Sequence, residues 1–224
     1  MGERHGLLFV RLDGRSIDVD AALAGAEDDL ASFFLAGYTH VESRQATWKV
    51  NWKLVLDTFA ESYHIRTLHS ESLAPTFLSD PSVFEGFGTN LLLVGLRRSV
   101  FDELAKPEAE RSIIPYGTIQ YFLVPTGLVV HQLDHVETWR VTPLDVRTTE
   151  VTTGIFAPDP PDVRARRYWI KNLDLLLRVT GTEDFPLMEK IQRSLDSGAI
   201  PNVVYGRNEP ALVYLHRAID AALE

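Results

Sequence analysis

Two histidines and nearby carboxylates form the pattern with the clearest potential for chemistry in this sequence. Asp57, Glu61, His64 and His69 follow one another within one short segment. Imidazole binds first-row transition metals well, and a carboxylate offsets part of the metal's charge. Two histidines and one carboxylate also leave coordination positions open, as a non-haem Fe(II) site requires for dioxygen and a substrate. The segment is therefore a candidate metal centre.

The same spacing also fits the solvated face of an amphipathic helix, which needs no metal. An apolar stripe at helical spacing runs along this segment: Trp52, Val55, Leu56, Phe59, Ala60 and Tyr63. Asp57, Glu61 and His64 lie on the opposite face. On a continuous helix His69 lies about 140° from His64, so both can bind one metal only if the helix ends or bends between them. The loop-like sequence after Ile65 permits such a break.

Other uses of the histidines have weaker support from the pattern. A zinc hydrolase helix spaces its histidines i and i+4 with a Glu between them. Here the spacing is i and i+5, and Ile-Arg-Thr-Leu lies between, so that motif is absent. His131 and His135 fall on a predicted strand and its turn, where they either line a pocket or are satisfied polar residues.

The rest of the sequence predicts helices at both ends and strands between them. The predicted strands cover residues 6–12, 38–50, 89–96, 118–125, 127–133, 137–143 and 150–156, the first of them buried. The predicted helices cover residues 21–34, 52–63, 163–180, 184–197 and 210–223. Turn signals about every ten residues favour an antiparallel meander. Together these elements predict an α+β domain in which a sheet curls around a C-terminal helix.

Several segments carry a resemblance to a known family. Asn51-Trp52-Lys53, followed by Asp57, Glu61, Tyr63-His64 and His69, resembles the opening of the catalytic domain of Rieske non-haem iron ring-hydroxylating oxygenase α subunits. Further similar segments are Gly6–Val10, Trp139–Pro143, Glu183–Gln192, Gly206–Pro210 and Tyr214–His216. The resemblance covers nearly the whole chain in the family's order.

The resemblance implies roles for particular residues. His64 and His69 would bind the mononuclear Fe(II), with Asp184 as the carboxylate ligand and the adjacent Glu183 as the alternative. Glu61 stands where the family has an acid that bridges to a Rieske-cluster histidine of a neighbouring subunit. A Glu there is more similar to the branch acting on quaternary amines than to the ring dioxygenases. Asp57 stands where a polar residue lies near the iron, although a packing role fits it equally.

The resemblance also implies a fold and a domain organisation. The family has a helix-grip fold (START-like or Bet v 1-like), an antiparallel sheet wrapped around a long C-terminal helix. Residues 1–224 would form a single catalytic domain, with residues 1–14 as a remnant of the linker strand that leaves the Rieske domain. Candidate walls of an apolar pocket that reaches the iron are Phe77, Leu91, Leu93, Tyr121 and Phe122, each equally suited to the core.

Composition limits the alternatives. The formal charge is −9 and the basic residues are scattered, which disfavours nucleic-acid binding. The apolar run Leu7–Val10 is too short for a signal peptide or a membrane span, so we expect a cytoplasmic protein without a membrane anchor. With no cysteine, the chain cannot hold a Cys-ligated [2Fe–2S] cluster.

The expected function is therefore that of an iron-dependent oxygenase domain without its electron-donating domain. It would use O₂ to hydroxylate or demethylate a small aromatic or amine substrate, with electrons from a reductase and a Rieske [2Fe–2S] centre in a missing domain or separate protein. Three explanations stay open: a fragment, a stand-alone subunit, or a chain that has lost catalysis. We expect no turnover by the chain alone, and the family commonly forms trimers. The alternative function is a non-catalytic helix-grip module that binds a small hydrophobic ligand.

Overall fold

A seven-stranded antiparallel sheet forms the framework of the computed structural model, which describes residues 1–11, 13–23, 25–80, 82–158 and 162–223. Its strands are β3 (Tyr38–Trp48), β4 (Val83–Phe87), β5 (Asn90–Leu96), β6 (Gly117–Leu123), β7 (Gly127–Gln132), β8 (His135–Asp145) and β9 (Thr148–Pro158). The order across the sheet is β3-β9-β8-β7-β6-β5-β4. β1 (Gly2–Arg4) and β2 (Leu7–Phe9) form a separate hairpin.

Helices flank the sheet at both ends of the chain. They are α1 (Val19–Ala22), α2 (Glu27–Ser32), α3 (Trp52–Phe59), α4 (Tyr63–Thr67), α5 (Val163–Val179), α6 (Phe185–Asp196) and α7 (Pro210–Leu223). A π-helical turn, Thr180–Asp184, joins α5 to α6 without a loop. Short 3₁₀ turns cover Leu35–Gly37, Arg98–Ala105, Glu108–Glu110 and Ile114–Tyr116. None of the helices in the described part of the chain is long and apolar enough to cross a membrane.

The two faces of the sheet have separate cores, because side chains alternate along each strand. On one face, Leu91, Leu93 and Trp139 pack with residues of α3, α6 and α7 in the main hydrophobic core. On the other face, Leu92 and Val94 pack with residues of α1 and α2. A third cluster joins α5 to the β3–β9 edge of the sheet. The sheet and long C-terminal helix confirm the predicted α+β, helix-grip fold class.

Three predicted elements differ from the structure. Residues 21–34 form two short helices, α1 and α2, with Gly25 between them at a φ of +88° that a helix cannot continue through. The predicted first strand covers only β2 and is not buried, since Leu8 is 69% exposed on the small hairpin. Leu12, the predicted end of that strand, lies outside the described residues. The predicted helix over 52–63 ends at Phe59.

Candidate metal centre

His64 is positioned by a break between two short helices. Helix α3 begins at Trp52 and is capped by Asn51, whose side chain accepts a hydrogen bond from the backbone N–H of Lys53. It ends before Ala60, and α4 begins after Ser62, whose buried hydroxyl donates to the carbonyl of Ser79 at 2.7 Å. The break changes the direction of the chain, so α4 presents His64 independently of the polar face of α3.

His69 lies just beyond α4, in a turn that fixes its backbone. Its carbonyl accepts hydrogen bonds from the N–H groups of Ser72, Leu73 and Ala74 at 3.2, 3.1 and 2.9 Å. The side chain is buried, with 2% of its surface exposed. The end of α4 at Thr67 therefore supplies the break that the spacing of the two histidines requires.

The π-helical turn supplies two adjacent carboxylates from the distant part of the chain. In a π turn the backbone bonds run from i to i+5, so one extra residue is accommodated without ending the helix, and such turns are frequent at functional sites. Phe185, directly after the turn, stacks on Trp48 with ring centroids 4.3 Å apart. This contact holds the end of the turn against β3, and Asp184 is buried beside it.

The three predicted ligand groups converge. Donor atoms of His64, His69 and Asp184 all lie within 4.8 Å of one another. Oδ1 of Asp184 lies 3.1 Å from Nε2 of His69 and 3.5 Å from Nε2 of His64. Two imidazole nitrogens and one carboxylate oxygen that face a common point fit the donor set of a mononuclear Fe(II) site.

The outward ring nitrogens of both histidines contact carboxylates. Nδ1 of His64 contacts Glu61, which also accepts the backbone N–H of His64 at 3.2 Å. Nδ1 of His69 lies 2.7 Å from Oε2 of Glu183, and the Ser72 hydroxyl donates to the same oxygen at 2.8 Å. Each carboxylate fixes the ring orientation and leaves Nε2 directed at the centre. Glu183, the alternative carboxylate ligand, thus lies on the far side of His69 from Asp184.

Electrostatics reinforce this arrangement. Burial alone would lower the pKa of His69, but the carboxylates of Asp184 and Glu183 outweigh it and raise the pKa above its ordinary value. Burial works to raise the pKa of Glu183, whereas the hydrogen bonds from His69 and Ser72 outweigh burial and lower that pKa. The site therefore favours positive charge at its centre, whether a proton or a metal ion supplies it.

Asp57 is separated from this cluster. Its Oδ1 lies 2.7 Å from Nε2 of His216 on α7, and the ring of Tyr205 packs on His216 with centroids 5.3 Å apart. Asp57 faces a surface groove and is not one of the residues lining the cavity at the three converging groups. The break after Phe59 separates Asp57, on α3, from His64, on α4, although a continuous helix would place them together.

A cavity of about 170 Å³ opens onto the three converging groups. Its apolar wall includes Phe59, Leu73, Phe77, Trp139 and Leu176, and its polar wall includes Thr58, Thr118, Gln120, Gln132, Glu137 and Thr180. Of the five predicted wall residues only Phe77 lines it. Leu91, Leu93 and Phe122 lie in the main core, and Tyr121 packs on the other face, where its hydroxyl donates to Asp29.

The two strand histidines do not line this cavity. His131 stacks on Phe33 on the other face of the sheet, with ring centroids 4.6 Å apart. His135 is buried beside Asp134 and Glu137. Sequence reasoning missed Glu137 and the contact of Glu183 with His69. A signal for Glu137 was present, because it alternates with Trp139 and Val141 on β8 and so shares their buried face.

Comparison with known proteins assigns the family. Residues 35–224 match the family described as ring hydroxylating alpha subunit (catalytic domain). The chain belongs to this family, which confirms the resemblance seen in the sequence. None of the curated protein sequences matches the chain.

Solved structures share the fold at low sequence identity. The quaternary ammonium Rieske monooxygenase CntA superposes with a TM-score of 0.78 at 19% identity, over 99% of this chain and 60% of that one. Naphthalene 1,2-dioxygenase gives 0.69 at 16% identity, over 98% of this chain and 63% of that one. Dicamba monooxygenase gives 0.56 at 11% identity, over 83% and 58%. The chain thus spans about 60% of the length of the structures it matches first.

Proposed function

We propose that this chain is the iron-binding catalytic domain of a Rieske-type oxygenase, with His64, His69 and Asp184 as the three protein ligands of one Fe(II). The observation that carries the proposal is the convergence of these three donor atoms within 4.8 Å in the wall of one cavity. Bound iron would supply the activation of dioxygen there, because three protein ligands leave coordination positions open. Family membership supports the same assignment.

The surrounding residues have distinct roles in this proposal. Glu61 and Glu183 hold the two imidazole rings by their Nδ1 atoms and thereby keep both Nε2 atoms on the metal. Trp139, Phe59 and Leu176 exclude water from the substrate side and orient a small substrate by contact. The substrate would be a small aromatic or amine compound that is hydroxylated or demethylated.

Electrons for the reaction would come from outside this sequence. A Rieske [2Fe–2S] cluster needs two thiolates, and the sequence has no cysteine. The donor would be a Rieske centre in another part of a longer protein or in a separate protein, reduced in turn by a reductase. We further propose that the domain assembles as a homotrimer in which a neighbouring subunit presents the donor.

Iron binding tests the proposal directly. The chain is purified anaerobically, reconstituted with Fe(II), and compared with His64→Ala, His69→Ala and Asp184→Ala. We expect about one iron per chain in the native protein, because the three donors form one site, and loss of iron in each variant. His40→Ala is the matched control, since His40 is exposed on β3 and contacts only Ser43 among the described hydrogen bonds.

Two outcomes would contradict the assignment. Iron retained in all three variants would place the metal elsewhere. No iron in a correctly folded native protein would favour the non-catalytic ligand-binding module, for which the same apolar cavity suffices. Circular dichroism of every variant separates loss of metal from loss of fold.

Electron supply is tested by oxygen consumption. With NAD(P)H and a reductase, the iron-loaded chain alone is expected to show no substrate-dependent oxygen uptake. Addition of a reduced Rieske protein is expected to restore uptake in the native chain and not in Asp184→Ala. Turnover by the isolated chain with reductase alone would disprove the need for an external Rieske centre.

A further inference from the structure

Glu137 is a buried carboxylate in the wall of the cavity that contains the proposed metal ligands. Only 5% of its surface is exposed, and it lies on β8 between His135 and Trp139 on the inner face of the sheet. Its cross-strand partner on β7 is Val130, which also lines the cavity. The carboxylate thus forms part of the cavity floor, where burial of an ionised group is costly unless something compensates it.

Two side chains contact the carboxylate of Glu137 within the protein. The indole N–H of Trp139 donates to Oε2 at 3.2 Å, which fixes the orientation of the carboxylate. Oε1 lies 3.5 Å from Nε2 of His135, and His135 also contacts Asp134. Burial acts to lower the pKa of His135, but Glu137 and Asp134 outweigh it and raise that pKa. One histidine therefore faces two carboxylates, of which Asp134 is 54% exposed to solvent and Glu137 is buried in the cavity wall.

The cavity is lined by acidic side chains and by no Lys or Arg among the described residues. Its acidic residues are Glu61, Glu137 and Asp184. A ligand with a carboxylate or phosphate would meet no Lys or Arg in this wall. A ligand with a positively charged nitrogen would meet Glu137 on the side of the cavity formed by the sheet.

Two aromatic side chains line the cavity together with this carboxylate. Trp139 and Phe59 both line the cavity, with ring centroids 4.8 Å apart. Aromatic faces attract ammonium groups through the ring quadrupole, and Trp does so most strongly. The ring of Phe77 is already used by the protein, since the Arg97 guanidinium lies 4.8 Å from its centroid. Trp139 thus both orients the carboxylate and lines the cavity.

We propose that Glu137, Trp139 and Phe59 form a subsite for an organic ammonium group, so that the substrate of this cavity carries a positively charged nitrogen. This inference rests on the proposed function, because it assigns the substrate class of the same cavity. Glu137 is then a specificity-determining residue that contacts the substrate and not the metal.

Three isosteric probes test the subsite: choline, its neutral analogue 3,3-dimethylbutan-1-ol, and the anion 3,3-dimethylbutanoate. Binding to the whole chain is measured by calorimetry with and without Fe(II). We expect the native protein to bind choline at least about tenfold more tightly than the neutral alcohol, equivalent to a cation–π contact plus one charge interaction. In the iron-free chain the anion is expected to bind most weakly, because the cavity wall carries carboxylates and no Lys or Arg. In the iron-loaded chain the carboxylate of this probe can also bind an open coordination position of the metal, so only choline and the alcohol are compared there.

Glu137→Gln separates charge from structure. The amide oxygen can still accept the Trp139 N–H, whereas the charge is lost. The variant is expected to lose about tenfold in affinity for choline and to bind the neutral alcohol unchanged. Glu150→Gln, on the adjacent strand β9, is the matched control and should leave all three affinities unchanged.

Some outcomes would overturn the subsite. Equal affinity of the native protein for choline and the alcohol, or no choline binding at millimolar concentration, would do so. Equal losses for both probes in Glu137→Gln would make Glu137 only a structural partner of His135 and Trp139. Choline selectivity without iron binding would refute the proposed function and leave the subsite standing. Iron binding without selectivity would refute the subsite alone.

Discussion

Glu183 and Asp184 are neighbours in the chain, and their carboxylates contact opposite ring nitrogens of one imidazole. Oε2 of Glu183 lies 2.7 Å from Nδ1 of His69, and Oδ1 of Asp184 lies 3.1 Å from Nε2. Consecutive residues of an α-helix diverge by about 100° around the axis, so two such contacts on one ring need unusual backbone geometry. The π-helical turn Thr180–Asp184 provides it.

Loss of the Glu183 charge should weaken metal binding without removing a ligand. In Glu183→Gln we expect the affinity for Fe(II) to fall by about 10–100-fold, because the ring of His69 is held less firmly and its Nε2 is less basic. Anaerobic titration with a competing chelator measures the change. Glu108→Gln is the control, since Glu108 is exposed on a 3₁₀ turn. Unchanged affinity in Glu183→Gln would show that the contact with His69 has no role in metal binding.

Two leucines on α5 provide a matched test of where the helix packs. Leu173 is fully buried against Val41, Ile155 and Ala157, whereas Leu175 is 48% exposed. Leu173→Ala should lower the free energy of unfolding by about 2–5 kcal/mol, because it leaves a cavity in a packed cluster. Leu175→Ala should cost much less, about 1 kcal/mol or below. Urea denaturation measures both, and equal losses would contradict the described face of α5.

Replacement of Gly86 by alanine should destabilise the protein more than replacement of Gly95. A Cβ on Gly86 would collide with the ring of Tyr214, and that ring is held by its hydroxyl, which donates to the carbonyl of Gly88 at 2.7 Å. Gly86→Ala should therefore destabilise the protein by about 1–3 kcal/mol. A Cβ on Gly95 meets nothing within 4 Å because it points into open space. Thermal unfolding should show Gly95→Ala close to the native protein, and a comparable loss in both would argue against the contact with Tyr214.

His131 should make stability depend on pH in a definite direction. Burial lowers the pKa of His131, and the nearby His135 lowers it further. The unfolded chain therefore takes up the proton first, and stability from this residue falls as the pH drops below about 6.5. Replacement by Phe, which can also stack on Phe33, removes this contribution. The free energy of unfolding of His131→Phe relative to the native protein should rise between about pH 8 and pH 5.

His40→Phe serves as the reference for this measurement, because His40 is exposed on the edge strand. The difference between each variant and the native protein removes the titration of all groups that do not interact with the replaced histidine. For His131→Phe, the difference includes the coupling of His131 to His135. A pH-independent difference for His131→Phe would contradict the lowered pKa.

The helices and strands that could be predicted from the sequence are those in which apolar residues repeat at regular helical or strand spacing. Helix α7 has the predicted bounds, and the predicted strands over residues 118–156 correspond to β6–β9 with small shifts. Strand β4 was not predicted, because it is a short edge strand interrupted by Gly86. The sequence pattern made His64 and His69 candidate ligands, whereas Asp184 was proposed from family resemblance alone. The contact of Glu183 with His69 joins residues 114 positions apart, so no periodic pattern in the sequence could indicate it.

The π-helical turn also sets the number of residues that this part of the chain can have. On one side of it, Phe185 and Met188 are fixed in the main core, and on the other side Leu173 is fixed against the sheet. A one-residue deletion between Val179 and Phe185 would restore an α-helical register, but would rotate one side by about 100° relative to the other. The deletion would then displace either the buried apolar residues on one side of the turn or Asp184 within it. We therefore expect an insertion or deletion in this segment to disrupt the core or the candidate metal centre more than most single substitutions would.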